Sequence, residues 1–215
     1  RINNSGETVF VIAGEKGVVI GDSANEAVGL YSTAEGQGTT ANGNSSHAEG
    51  QGTSASGDSS HVEGHGSQAN GICSHAEGYN TNATSNHSHA EGSYTLTQGV
   101  ASHAEGYSTE ATGEYSHAEG ENTKAYGEAS HAEGNHTIAS GWCSHTSGNY
   151  TQTFNEAEFA CGRHNKSTSG DTYNSSATLF SVGFGTPPSE SSRKNAIEVT
   201  MTGCLLYTSD AADEA

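Results

Sequence analysis

Large aliphatic residues are scarce in this sequence. Leu, Ile, Val and Phe account for 25 of its 215 residues, or about 12%. A fraction below roughly 20%, combined with a formal net charge of −18, is typical of chains that cannot build a conventional hydrophobic core. The composition therefore excludes an ordinary globular enzyme with a large aliphatic interior. It leaves either a disordered polar chain or a repeat fold that needs little core.

Basic residues and long apolar runs are also lacking. The 7 Lys and Arg residues stand against 25 Asp and Glu residues, so no basic patch exists to neutralise phosphates, and we expect no nucleic-acid partner. No apolar run reaches the roughly 18 residues of a membrane span, so we expect no transmembrane segment in this sequence. The chain begins at Arg1 without a visible secretion signal, and we interpret it as a fragment.

What the sequence does contain is a repeat built around the pentapeptide Ser-His-Ala-Glu-Gly. Each copy begins 14 residues after the previous one, and a half-motif of the form Thr-x-Ala-x-Gly lies between the copies. Regular self-similarity of this kind indicates a repeat architecture rather than disorder. The ten copies, including variants, are 32–36, 46–50, 60–64, 74–78, 88–92, 102–106, 116–120, 130–134, 144–148 and 158–162.

Both half-motifs alternate with period two, which is the periodicity of a β-strand. A 14-residue coil then holds two short strands and two turns, and successive coils pair in parallel to form an all-β solenoid. The interior of so narrow a coil admits only small side chains, which explains the missing aliphatic core. The residues expected to fill it include Ser46, Ala48, Gly50, Ser74, Ala76, Gly78, Ala41, Ala55, Ala111 and Ala125.

Two outer faces remain, and they differ in uniformity. Residues between Thr, Ala and Gly vary freely from coil to coil, whereas the other face repeats His and Glu. We therefore expect the variable face to meet solvent and the uniform face to meet another copy of the chain. The expected interface residues are His47, Glu49, His61, Glu63, His75, Glu77, His89, Glu91, His103, Glu105, His117, Glu119, His131, Glu133 and His145.

The two rows predict a hydrogen-bonded His–Glu network at a subunit interface. Ionised glutamates stacked about 4.8 Å apart repel by about 3.5 kcal/mol per pair at an effective dielectric constant near 20, so a bare row is unfavourable. The histidines are the available partners, and pairing with Glu is expected to raise their pKa values above about 6.5.

Other chemistries use the same residue types. Adjacent Ser and His in a strand point to opposite faces, and no lipase, P-loop or zincin motif occurs, so we expect no enzyme activity and no cofactor. Repeated histidines could instead bind zinc, nickel or iron, although a row of stacked sites would crowd charge, and we expect no metal. Regular Thr rows can bind ice on flat solenoids, but these threonines are expected to face inward. A metal- or ice-binding β-solenoid remains the alternative of another class.

A unit of 14 residues ending in Ser-x-Ala-x-Gly resembles the head repeat of trimeric autotransporter adhesins, the YadA-like head. That resemblance covers about 32–162 and implies a left-handed parallel β-roll of three chains. The family commonly has Val and Ile at the two x positions, where this sequence has His and Glu. The Ser-His-Ala-Glu-Gly form is similar to repeats of phage tail-fibre proteins and of bacterial surface proteins. The segments 179–185 and 193–199 are similar to those following such repeats in tail fibres.

These resemblances give the expected organisation and function. We expect N-terminal capping strands in 1–31, a β-roll in 32–162 and a connector in 163–203. Residues 204–215 resemble a translated sequencing adapter and are expected not to be native. The expected function is a non-enzymatic, extracellular homotrimeric segment that attaches to an unidentified receptor, protein or glycan, on a host cell. A phage tail fibre in a virion comes first, and a bacterial surface adhesin is the alternative.

Overall fold

The structure is a computed structural model that describes residues 3–4, 7–8, 10–13, 17–167, 177–186, 193–202 and 205–207. It is all-β over these residues, with no helix, and it forms about ten parallel coils of about 14 residues each. The expectation of an all-β solenoid is confirmed. The chain divides into two units, Arg1–Ser108 and Thr109–Ala215, which are described separately.

The first unit stacks long and short strands in two separate parallel sets. Equivalent residues of successive coils lie in register, for example His61 opposite His75 and Ala69 opposite Ala83. The long strands are Ser32–Gln37, His47–Gln51, His61–His65, His75–Tyr79, His89–Ser93 and His103–Tyr107. The short strands are Glu26–Ala27, Thr40–Ala41, Ser54–Ala55, Gln68–Ala69, Asn82–Ala83 and Leu96–Thr97.

Additional strands precede the first coil. Phe10–Ala13 and Gly17–Gly21 form an antiparallel hairpin, and Gly17–Gly21 pairs in parallel with Ser32–Gln37. Asn3–Asn4 pairs with Glu7–Thr8 in an antiparallel manner. The hairpin thus covers the backbone groups that the first long strand would otherwise leave unpaired.

The second unit repeats the same arrangement and ends differently. Its long strands are His117–Glu121, His131–Asn135, His145–Asn149 and Phe159–Arg163, and its short strands are Glu110–Ala111, Lys124–Ala125, Ile138–Ala139 and Gln152–Thr153. Thr178–Phe184 then pairs in parallel with Phe159–Arg163 and antiparallel with Asn195–Thr200. Of 204–215, only the strand Leu205–Tyr207 is described; it pairs with Asn195–Thr200, and the rest lies outside the described residues.

Small side chains fill the interior of each coil. Ala48, Ala76 and the equivalent alanines are fully buried, and Val62 occupies the same position in its coil without exposure. The serine before each histidine is buried too, and its hydroxyl donates to the carbonyl three residues earlier, as Ser46 Oγ does to Gly43 O at 2.7 Å. Because the hydroxyl is satisfied locally, a polar residue can stand in this narrow core at little cost.

Two of the residues expected in the interior lie elsewhere. Gly50 is exposed and Gly78 is half-buried, so the expectation that they fill the coil is wrong. Both lie at a corner with φ of +102° and +112°, a conformation that side chains rarely adopt. The chain turns there, and the period-two alternation that places Ser46 and Ala48 inside no longer holds.

The described residues contain no helix long and apolar enough to cross a lipid bilayer.

Candidate functional site

The candidate site is the outer surface of the long strands, which we call the His/Glu face. It consists of the residues at the His and Glu positions of the repeat, which lie on either side of a buried alanine in each strand. His47 and Glu49 flank Ala48 in this way, and both are half-buried while Ala48 is fully buried. The structure therefore brings the histidines and glutamates named in the sequence analysis onto the same surface within each unit.

The histidine rings form a continuous stack in the first unit. Ring centroids of His47 and His61 are 5.0 Å apart, and those of His61 and His75 are 4.8 Å apart, with planes within 6° of parallel. His75, His89 and His103 continue the stack at 4.7 and 4.8 Å. In-register parallel pairing produces this arrangement, because each ring lies directly over its equivalent in the adjacent coil.

The second unit has a shorter stack that ends in aromatic residues. His117 and His131 are stacked at 4.8 Å, and His131 and His145 at 4.6 Å. Phe159 takes the histidine position in the last repeat, and its ring meets that of His145 edge-on at 4.9 Å. Phe180 of the following strand then stacks on Phe159 at 5.7 Å. The row therefore changes from polar to apolar where the repeat ends.

Stacking buries one nitrogen of each ring. The Nε2 atoms of His47, His61, His75 and His89 are inaccessible to solvent and have no hydrogen-bond partner. The closest carboxylates are near but outside hydrogen-bonding distance: Glu77 Oε2 is 3.8 Å from His75 Nε2, and Glu91 Oε2 is 3.6 Å from His89 Nε2. The direct hydrogen-bonded His–Glu network expected from the sequence is therefore not formed at these positions within one chain.

The pKa values of three histidines on this face are shifted in the direction opposite to the expectation. Burial, followed by the neighbouring rings of His75 and His47, lowers the pKa of His61 below 6.5. Burial likewise lowers the pKa values of His75 and His131. The prediction of raised values is wrong for these three because burial has a larger effect on their pKa values than the nearby carboxylates have. A folded pKa below the unfolded one contributes stability above about 6.5 that is lost as the pH falls.

Glutamates of the row share protons with one another. A hydrogen bond to Glu63, then burial, raises the pKa of Glu49 from 4.5 to about 7. The same interaction with Glu63 raises the pKa of Glu77. The pKa of Glu63 itself is lowered because it accepts hydrogen bonds from both neighbours. Glu49 and Glu77 therefore take up a proton more readily than Glu63, which relieves part of the repulsion expected for a fully ionised row.

Replacing Glu49 with glutamine is expected to stabilise the protein at pH 8 and to have little effect at pH 5. The folded pKa of Glu49 is about 7 and the unfolded value is 4.5, so the stability it contributes is present below 4.5 and is lost as the pH rises through about 7. The carboxylates facing it are Glu35 and Glu63, and His47 lies on the same strand. We expect the melting temperature at pH 8 to rise by about 2–4 °C, equivalent to about 1 kcal/mol.

Glu26→Gln is the matched control for this measurement. Glu26 is exposed and lies opposite Thr40 rather than another carboxylate, so its replacement should change the melting temperature equally little at both pH values. Thermal unfolding followed by circular dichroism at pH 5 and pH 8 would compare the two variants. An equal gain for Glu49→Gln at both pH values would refute the shared-proton interpretation.

A second exposed feature of the first unit was not singled out from the sequence. His65 and Tyr79 are stacked at 5.1 Å, Tyr79 meets Tyr94 edge-on at 5.3 Å, and Tyr94 meets Tyr107 at 6.0 Å. The three tyrosines are 44%, 49% and 50% exposed. The signal was present in the sequence, since His65, Tyr79 and Tyr107 occupy one repeat position, but it was hidden among variable residues. We call these four residues the aromatic strip.

The geometry gives no support to a Ser–His catalytic pair. Ser46 lies inside the coil with its hydroxyl bonded to a backbone carbonyl, whereas His47 lies outside. The repeated threonines are also inside: Thr53 and Thr81 are 1% exposed. Their hydroxyls cannot form a surface that contacts ice. The groups available for chemistry in the described part of the face are mainly imidazole nitrogens and carboxylate oxygens, joined at the Glu position of the last two coils by the Ser147 hydroxyl and the Cys161 thiol.

Comparison of the sequence with protein-family models and with curated proteins found no match.

Proposed function

We propose that this chain is a non-enzymatic segment of an extracellular homotrimeric fibre of the phage tail-fibre type, which attaches to a host cell. The observation that carries the proposal is the His/Glu face, where ring nitrogens are shielded from solvent but lack hydrogen-bond partners. Buried polar groups normally have partners, so a second surface that contacts the half-exposed rings, once they rotate towards it, would supply them. The resemblance of the repeat to trimeric adhesin heads supports three chains as the assembly.

The charge pattern of the face suits association with copies of itself. Histidine, which donates or accepts, and glutamate, which accepts when ionised, alternate across each strand, so a rotated copy can offer its glutamate to a histidine. Glu91, for example, has a pKa raised by burial and by its neighbour Glu105, and a histidine proton from another chain would favour its ionised form. Association would therefore add His–Glu interactions between chains to those that are 3.6–3.9 Å long within one chain.

The remaining surface suits attachment. The short strands carry residues that differ from coil to coil, and the aromatic strip exposes three tyrosines next to one another in the first unit. Exposed aromatic clusters are common at surfaces that bind partners, because they supply apolar area together with a polar hydroxyl. In the proposed fibre, the His/Glu face holds the chains together and the other faces are presented to the cell.

Sedimentation equilibrium of the full chain tests the assembly. We expect a mass three times the 22.0 kDa of one chain, with a β-type circular dichroism spectrum. Glu63→Lys, on the His/Glu face, should shift the mass towards the monomer, because the new cation would be enclosed among histidines at the interface. Gln68→Lys, on an exposed short strand, should leave the mass unchanged. A folded 22.0 kDa monomer would overturn the proposal.

A further inference from the structure

The histidine stack of the first unit contains groups of three residues with the donor atoms of a metal site. In His75, Glu77 and His89, one ligand atom from each residue lies within 4.8 Å of the others. His89, Glu91 and His103 form an overlapping group of the same kind. Towards the N-terminus, Glu35, His47 and Glu49, and then Glu49, His61 and Glu63, form groups with one imidazole instead of two.

We propose that the His75–Glu77–His89 cluster binds one divalent transition-metal ion of the zinc class. Two imidazoles and one carboxylate are a ligand set that zinc uses, and three protein ligands leave a fourth position for water or another ligand. All three residues come from one chain. The site can therefore form in the isolated chain, whereas in the fibre proposed above a bound ion would take the place of hydrogen bonds from the neighbouring chain to His75 and His89.

The nitrogen donors of this cluster are available. His75 Nε2 and His89 Nε2 make no hydrogen bond that binding would have to break, and neither is exposed to solvent. These are properties of ligands rather than of a hydrogen-bonded structural network.

The carboxylate needs only a small adjustment, whereas the rings of His75 and His89, stacked 4.7 Å apart with planes 7° from parallel, must splay so that both Nε2 lone pairs point at the ion. Tetrahedral ligands about 2.0–2.1 Å from zinc are about 3.3–3.4 Å apart. His75 Nε2 and Glu77 Oε2 are 3.8 Å apart, so closure by a few tenths of an ångström would suffice. Both side chains are about one third exposed, so the carboxylate has room to turn towards the ion.

Sharing of ligands limits the number of ions. His89 belongs to both histidine-rich groups and offers one ring nitrogen to this face, so only one of the two groups can be filled at a time. The same holds for Glu49 in the two glutamate-rich groups if each carboxylate supplies one ligand atom. Zinc prefers nitrogen over additional carboxylate oxygen, so the group around His89 is expected to be occupied first.

The test compares zinc retention by the full chain and two single variants. Each protein is unfolded with a chelator, refolded with or without zinc ions alone, desalted and analysed for metal per chain. His89→Gln removes a ligand from both histidine-rich groups. His87→Asn is the matched control, because His87 is exposed at a corner with φ of +59°, which asparagine readily adopts.

We expect wild type and His87→Asn to retain one more zinc ion per chain than His89→Gln. Zinc should also raise the melting temperatures of wild type and His87→Asn by several degrees more than it raises that of His89→Gln. Equal zinc content in wild type and His89→Gln would overturn the proposal, as would wild type without zinc. If circular dichroism shows that His89→Gln does not fold, the double variant Glu77→Gln/Glu91→Gln is used instead, because it removes the carboxylate from both groups. Unchanged zinc content in that variant would also overturn the proposal. Metal per chain is read separately from sedimentation mass, so failure of the site and failure of the trimer are distinguishable.

Discussion

Gly50→Ala is expected to destabilise the protein strongly. Among the exposed positions of the coil that contains Gly50, no other should lose as much stability when one methyl group is added. Gly50 has φ of +102°, and a Cβ atom there would lie 2.1 Å from the carbonyl oxygen of Gly64 and 3.0 Å from its carbonyl carbon. Backbone atoms of the next coil cannot move away without breaking the parallel pairing. Conformational strain and this collision together should cost about 3 kcal/mol or more, which lowers the melting temperature by about 6–12 °C.

Gly52→Asn is the matched control for Gly50→Ala. Gly52 also has a positive φ, +65°, but a Cβ atom there would meet nothing within 4 Å. Asn80 occupies the equivalent position two coils later with φ of +52°, so asparagine fits this corner. Thermal and urea unfolding of both variants would measure the difference. If Gly52→Asn proved as destabilising as Gly50→Ala, the close approach of Gly64 could not be the cause.

Ala90→Asp is expected to unfold the first unit at neutral pH. Ala90 is fully buried and lies between Ala76 and Ala104 of the adjacent coils, so a carboxyl group there would have no partner. Burial that raises a carboxyl pKa from about 3.9 by about 3 units or more costs about 4 kcal/mol at pH 7, and the unpartnered carboxyl group adds about 1–3 kcal/mol. This is comparable to the whole stability of many domains, about 5–15 kcal/mol. Loss of the β-type circular dichroism signal at 25 °C would measure it.

Ala90→Val shows whether charge or size is responsible. Val62 occupies the equivalent position of its own coil with no exposure, so the interior admits a valine. We expect Ala90→Val to remain folded, with a cost within about 1–3 kcal/mol. Should Ala90→Val unfold as readily as Ala90→Asp, steric exclusion would explain both variants, and the argument from charge burial would fail.

The coil could be predicted because the repeat is in register with itself. A 14-residue spacing without insertions fixes which residues are stacked, and alternation fixes which of them face inward in the straight part of each strand. Ala48 and Ala55 are buried, and His47 and Glu49 are on the outside, as this reasoning requires. The same reasoning fails at Gly50, because alternation applies only while the backbone remains extended.

The corners could not be predicted, because they use residues with no preference for them. Cys73, Ala101 and Ala129 all have φ between +53° and +54°. Alanine and cysteine rarely adopt this conformation, so their identity gives no signal. What holds them there is a backbone hydrogen bond to the preceding coil, such as that from Cys73 N to Asp58 O at 2.9 Å. That partner exists only once the coils are stacked.

Protonation on the His/Glu face was also decided by the tertiary structure. The sequence indicated that histidine and glutamate share a face, and it was natural to expect one to ionise the other. Parallel in-register stacking instead places like against like, so that His61 lies between His47 and His75, and Glu63 between Glu49 and Glu77. The pKa of His61 is then lowered by burial, and that of Glu49 is raised by its hydrogen bond to Glu63.

By itself, the sequence determined the period, the small-residue interior and the two surfaces of the coil, because these follow from the order of side chains along an extended backbone. Only the tertiary structure decided where the chain turns, which nitrogens are shielded and which groups carry protons. Those properties depend on distances between residues 14 positions apart, such as the 4.7 Å between the rings of His75 and His89. No local pattern contains such a distance until the coils are stacked.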